Sequence, residues 1–346
     1  MPFLSHGGNS LRYDRAGAGL PMLFIHGLMG NHTFWDRQLD LRKHVQVLRM
    51  DLRGHGDSSK PRGSYAMATL ATDIQHLVGA LGLQRCVLVG WSMGGVVALE
   101  AVRLLGDKVA GLVLVCTTPC PAPADATPPG FTPQQQQEHL SSLDADYKAF
   151  ARELAGRLFH AEQAALVQWV AQQLLRTPSY VARAALEGFF AADRRDVLRS
   201  LAVPTLVCHG RHDAVIPFSS AEYIHRAVPA SELVAFADSG HAPMIEETAR
   251  FNETLISFAD RVLGKTPPAE SATPTSAARP GSSDEAVAQA PAAPARPRPG
   301  GSAAPRRPAA PQDTERTKRT KQPPRTPSGS SAKSPRTSTS RTPKKP

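Results

Sequence analysis

Short apolar runs alternate with helix-like stretches along most of this chain, and that alternation restricts the fold more than any other feature. The runs are Met22–Ile25, Val45–Met50, Cys86–Val89, Leu112–Cys116, Val203–Cys208 and Leu233–Phe236. Each has the length of a strand. Helical patterns lie near Thr33–Lys43, Ala66–Leu81, Ser92–Leu105, Phe218–Val228 and Glu246–Leu263. Strands separated by helices are joined by crossovers rather than hairpins. The expected fold class is therefore α/β, a mostly parallel sheet with helices on both faces. The closing helix carries one apolar stripe, Phe251, Leu255, Phe258 and Val262, at the spacing of a single helical face. Met93–Leu105 is apolar nearly all round, as suits a helix packed deep against a sheet.

One block interrupts the alternation. Phe131–Arg195 reads as several helices with no strand and holds 8 of the 20 aromatic residues. A helical insertion of about 131–195 between two strands is the expected lid, or cap. Most of its aromatics would form its own small core, and a few would line a pocket.

Composition changes abruptly at Lys265. From there to Pro346 the chain has no aromatic, His, Cys, Leu, Ile or Met and holds 17 of the 31 prolines. It carries 16 Lys and Arg against 5 Asp and Glu, a charge of +11, whereas residues 1–264 carry 24 against 25, or −1. The formal charge of +10 is therefore a property of the tail. Such a segment has too little apolar surface to offset its ordering entropy, so 265–346 is expected to be a disordered, basic, Pro/Ala/Ser/Thr-rich tail. Solvation is the favoured role for it. Tethering to nucleic acid or an acidic partner is the alternative, and the lack of aromatics for base stacking weighs against it. Residues 1–264 are expected to form the folded domain.

The four cysteines lie in that domain, three in or beside apolar runs, which favours buried thiols over disulfides or metal ligands. No secretory signal is read at the start of the chain and no stretch reads as a membrane span, so a cytoplasmic location is the default expectation.

Gly90-Trp91-Ser92-Met93-Gly94 fits the pattern G-x-S-x-G between an apolar strand and an apolar helix. In that context the glycines permit a sharp turn that lifts the Ser92 hydroxyl above the sheet edge, at a helix N-terminus that favours negative charge. A serine hydroxyl needs a base, and the base needs an orienting acid. Asp213 follows the Val203–Cys208 strand and His241 follows the Leu233–Phe236 strand. Both ends lie beside the expected position of Ser92, so Asp213 is the expected acid and His241 the expected base. Asp125 is a weaker candidate, nine residues past the end of its strand, and Asp238 reads as a turn residue. His209-x-x-His212-Asp213 has a loose metal-site spacing that no second cluster supports, so neither a metal nor another cofactor is expected.

Acyl transfer also needs two donors aimed at the developing oxyanion. The backbone N–H groups of Met93 and Leu28 are the candidates, with Gly27 allowing close backbone approach. His26 and Trp91 belong to the supporting loops, His26 as a structural histidine.

Taken together, His26-Gly27, Asp51-Leu52-Arg53-Gly54-His55-Gly56-Asp57-Ser58, Gly90-Trp91-Ser92-Met93-Gly94-Gly95, Gly210-Arg211-His212-Asp213 and Gly240-His241-Ala242-Pro243 resemble the α/β-hydrolase superfamily, in the family's order. The resemblance covers about residues 3–263. It implies an α/β-hydrolase fold with an eight-stranded sheet, a cap between the sixth and seventh strands, and a Ser92–Asp213–His241 triad. It makes Arg53, His55 and Asp57 framework residues. A serine at position 92 argues against the dehalogenase and epoxide hydrolase branches, which use a carboxylate there. The combined motifs are similar to those of small carboxylesterases and enol-lactonases. The function implied is serine hydrolysis of a small carboxylic ester through an acyl-enzyme. A lactonase, thioesterase, carbon–carbon bond hydrolase, acyltransferase or perhydrolase on the same residues remains an alternative.

Overall fold

A computed structural model describes residues 2–125, 127–128, 130–161 and 163–265. The expected disordered tail lies, apart from Lys265, outside the described residues, and so does its proposed binding role.

The sheet has eight strands: β1 (Phe3–His6), β2 (Asn9–Ala16), β3 (Pro21–Ile25), β4 (Gln46–Met50), β5 (Cys86–Trp91), β6 (Val109–Val115), β7 (Thr205–Gly210) and β8 (Glu232–Phe236). Their spatial order is β1-β2-β4-β3-β5-β6-β7-β8. β1 and β2 are antiparallel to their neighbours, and every pairing from β4 to β8 is parallel. β5 and β6 are buried at every position, as central strands covered on both faces must be.

All six apolar runs became strands, with ends shifted by up to three residues. β1 and β2 were not visible as apolar runs. β2 reads Asn-Ser-Leu-Arg-Tyr-Asp-Arg-Ala, too polar to stand out. It pairs with β4 from Tyr13↔Met50 to Ala16↔Val47, and Asp14 accepts hydrogen bonds from Arg49 of β4 at 2.7 and 3.0 Å. Charge pairing thus replaces apolar alternation at this end of the sheet.

Helices α1 (Met67–Ala80) and α2 (Met93–Leu105) follow β4 and β5. Ten of the thirteen residues of α2 are buried, in agreement with its apolar circumference. The expected helix at Thr33–Lys43 is a 3₁₀ helix, His32–Lys43, kinked at Trp35. Between β6 and β7 lies a strand-free insertion of α3 (Pro133–Ala145), α4 (Tyr147–Arg157), α5 (Ala164–Leu174), α6 (Ser179–Phe190) and α7 (Arg195–Arg199). α8 (Ser219–Ala227) joins β7 to β8. The expected closing helix is α10 (Thr248–Val262), preceded by the single turn α9 (Pro243–Glu246). Phe251, Leu255 and Phe258 of its stripe are buried and Val262 is half-buried. Each fully buried side chain of this size contributes about 2 kcal/mol from its removal from water. Among the described residues no helix is long and apolar enough to cross a membrane.

Parallel strands send their C-terminal ends to one edge. The loops after β3, β5, β7 and β8 therefore gather there, and they carry every residue singled out for chemistry above.

Candidate active site

Ser92 closes the turn from β5 to α2 with φ 56° and ψ −124°, a conformation that non-glycine residues rarely hold. Neighbouring segments hold it in place. The Ser92 N–H donates to Val115 O at 2.9 Å, and its carbonyl accepts from the Thr117 hydroxyl at 2.7 Å. A Cβ on Gly90 would lie 2.4 Å from Gly94 O, so this turn admits only glycine there. The cysteines are all free and buried.

The loop after β8 carries His241, which is 1% exposed. Three contacts orient it. Its Nδ1 lies 2.7 Å from Asp213 Oδ2. Its backbone N–H donates to Leu158 O at 2.8 Å. Its carbonyl accepts the Trp91 indole N–H at 2.7 Å. Trp91 therefore links the serine turn to the histidine loop, and Leu158 links that loop to the helical insertion. Glu246 adds a further tie, accepting N–H bonds from Gly240 at 2.8 Å and His160 at 2.7 Å.

Asp213 is held at both oxygens. Oδ1 accepts the N–H groups of Val215 at 2.8 Å and Ile216 at 2.9 Å. Oδ2 faces His241 and also His209, whose Nε2 is 3.1 Å away. The same Nε2 is 2.9 Å from Ile216 O. Both neighbours are acceptors, so His209 Nε2 carries a hydrogen. Burial alone would raise the Asp213 pKa, but His241 and His209 outweigh it and hold the carboxyl well below its usual range.

His209 was the residue the sequence reading undervalued. In the sequence His209 and His212 stand out only through a loose metal-site spacing. The structure separates them: His212 stacks on His160 with ring centroids 3.6 Å apart, while His209 supports Asp213. Cys116, His209 and Asp213 bring ligand atoms within 4.8 Å of one another, a grouping their hydrogen bonds explain. Burial pushes the Cys116 thiol well up, and its Sγ is directed to Gly240 O at 3.8 Å. The rejected acids lie elsewhere. Asp125 pairs with Arg195 at 2.7 Å, and the Asp238 N–H donates to Glu247.

The loop after β3 brings Leu28 to the same cavity wall as Ser92, Met93 and His241. A Cβ on Gly27 would sit 3.0 Å from Ser92 Cβ and 3.2 Å from Trp91 Cε3, so glycine is what lets this loop approach. His26 braces it. Its Nδ1 lies 2.8 Å from Gly27 O and its Nε2 lies 3.0 Å from the Leu52 N–H. The second contact requires a bare Nε2, so His26 is neutral with its hydrogen on Nδ1. Burial lowers its pKa to about 4, and burial lowers that of His55 to about 3. The Asp51 carboxylate receives His32 and Asp57 N–H groups at 2.7 and 2.8 Å, and Arg53 pairs with Asp73. Arg53, His55 and Asp57 do not line the cavity.

These histidines imply an acid-sensitive fold. Below the ordinary value of 6.5 the unfolded chain takes protons that buried His26 and His55 refuse. Stability should therefore fall as pH drops from about 6.5 to about 4, before loss of the Asp51 carboxylate contributes. Thermal unfolding scans across that window should show a descending Tm. A Tm flat to pH 4 would contradict the buried neutral assignment.

Above Ser92 and His241 lies a cavity. Its floor is Ser92, His241 and the Leu28 and Met93 segments, and its walls come chiefly from the insertion. Four of the eight aromatics of the insertion, Phe131, Phe150, Phe189 and Phe190, line it. Tyr147 and Tyr180 instead donate to the carbonyls of Thr177 and Lys60, and Trp169 packs on Phe34.

A family model described as the alpha/beta hydrolase fold matches residues 21–248. The chain belongs to the α/β-hydrolase family. As such it is an enzyme, a hydrolase. It is 31% identical over 259 residues to the AB hydrolase superfamily protein YisY of Bacillus subtilis, spanning 72% of this chain and 96% of that one. It is 30% identical over 258 residues to a pimeloyl-[acyl-carrier protein] methyl ester esterase of Aeromonas salmonicida, spanning 72% and 99%. Among solved structures, an esterase from Exiguobacterium antarcticum superposes with a TM-score of 0.72 at 28% identity, over 75% of this hydrolase and 98% of the esterase.

Proposed function

We propose that this hydrolase cleaves carboxylic esters by a Ser92–His241–Asp213 triad. The observation that carries the reading is the 2.7 Å contact of His241 Nδ1 with buried Asp213, with His241 and the strained Ser92 lining one apolar cavity. Relatives named as esterases support the same class.

In this reading Asp213 accepts the Nδ1 hydrogen and leaves Nε2 of His241 bare. That nitrogen takes the Ser92 proton as Oγ attacks the ester carbonyl. Negative charge develops on the carbonyl oxygen, and the N–H groups of Leu28 and Met93 receive it. His241 then protonates the departing alkoxide, leaving the acyl group on Ser92. Water enters, His241 takes its proton, and the carboxylic acid departs with Ser92 restored. The chain's own side chains supply every proton transfer.

A chain-length series of p-nitrophenyl esters tests the reading, with a lactone and a thioester alongside. Because the walls are apolar, kcat/KM should rise roughly fourfold per added methylene until the cavity is filled, the equivalent of about 0.8 kcal/mol each. No turnover of any ester, with the lactone or thioester cleaved instead, would move the substrate class.

A further inference from the structure

The walls of the cavity are mostly apolar, and the polar side chains they carry away from Ser92 and His241 are His139, Glu153 and Arg157. Arg157, at the end of α4, lines it and is half-buried. It also lines an adjoining cavity bounded by Thr118, Gln135 and the Ala214–Pro217 segment. Phe131, Arg157, Val215 and Ile216 are common to both, so Arg157 borders the two spaces. Among the described residues no other Lys or Arg lines either one.

Like Arg37 and Arg211, Arg157 bonds or packs on groups other than a carboxylate. Arg12, Arg49, Arg53, Arg176, Arg183 and Arg195 each pair with a carboxylate. Among the described residues Arg157 makes no such pair. Its Nη2 donates to Ala214 O at 2.6 Å, which fixes the head and leaves further N–H groups of the fork directed elsewhere. A guanidinium at the cavity wall without a carboxylate partner is a ready donor site for a planar anion, and a carboxylate matches it in charge and in fork geometry. A phosphate dianion would call for more positive charge than a single arginine supplies. Glu153, one turn earlier on α4, also lines the cavity. It is exposed, so water screens its charge more than that of Arg157.

We propose that the preferred substrate is a half-ester of a dicarboxylic acid, with its free carboxylate held by Arg157 while the ester carbonyl lies at Ser92. Resting on the ester-hydrolase reading, this inference deepens it by naming the acyl group. The apolar walls between the two ends take the methylene chain, and Arg157 selects what stands at the far end.

The test compares half-esters of straight-chain dicarboxylic acids with methyl-ended esters of matched length. Wild type should favour the carboxylate-ended series by about tenfold in kcat/KM, mostly through KM. Arg157→Gln should remove that preference, Arg157→Lys should keep part of it, and Glu153→Gln should increase it. Equal kcat/KM for the two series in wild type would overturn the proposal, as would an Arg157→Gln variant that slows both series by the same factor. A binding arm separates this inference from the ester reading. The non-hydrolysable monoamide of the same diacid, titrated calorimetrically, should bind wild type about tenfold more tightly than Arg157→Gln, whether or not any ester is turned over. Equal binding to both would count against Arg157 even if esters are cleaved.

Discussion

Ser92→Ala should lower ester turnover by about 10⁴-fold or more while leaving the Tm within a few degrees of wild type. The substitution removes one oxygen and keeps the backbone bonds of the turn, the Ser92 N–H to Val115 O and the Thr117 hydroxyl to Ser92 O. In the proposed mechanism, what remains is a cavity with oxyanion donors and a histidine but no nucleophile. Residual catalysis from binding and oxyanion stabilisation alone sets the floor. Steady-state hydrolysis of the best ester in the series measures the fall, and circular dichroism reports the fold. A variant within tenfold of wild type would place the nucleophile elsewhere.

Asp213→Asn should lower kcat by about 10⁴-fold, the scale known for the matching change in a serine protease triad. Here the surrounding donors dictate why. Oδ1 faces two backbone N–H groups, from Val215 and Ile216, so the asparagine oxygen must occupy that position. Its NH₂ then falls at the Oδ2 position, opposite His241 Nδ1 and His209 Nε2. A donor there forces His241 to carry its hydrogen on Nε2, so that in the proposed mechanism this nitrogen cannot accept the Ser92 proton. His209 Nε2–H meets the same amide and loses one of its two acceptors, so a modest loss of stability should accompany the kinetic effect. A fall of less than about tenfold would show that the Asp213–His241 contact does not set the tautomer.

The central strands and the serine turn were legible because burial on both faces leaves an unbroken apolar run. A turn that crowds backbone against backbone leaves its glycines in fixed places. The edge strands β1 and β2 were not legible, since Arg49 and Asp14 hold that end through charge and charge carries no period. The pairing of Asp213 with His241 followed from chain order and strand ends. The support of Asp213 by His209 did not, because it depends on β7 and the loop after it folding back until Ile216 O meets a side chain seven residues earlier. Glu246 was silent for a similar reason: its partners Gly240 and His160 lie on separate segments. The insertion was read as helical and aromatic, and only the structure divides aromatics that line the cavity from those that hold the insertion together. Arg157 could not be distinguished by composition from any other arginine. What sets it apart among the described residues is that it is the one Lys or Arg lining the cavity that holds Ser92 and His241.

The most direct test of the account is to label the protein with a fluorophosphonate serine probe and map the adduct by peptide mass spectrometry. The account predicts a single stoichiometric adduct on Ser92, abolished by Ser92→Ala and slowed by Asp213→Asn. An adduct on a different residue, or labelling that persists in the Ser92→Ala protein, would contradict it.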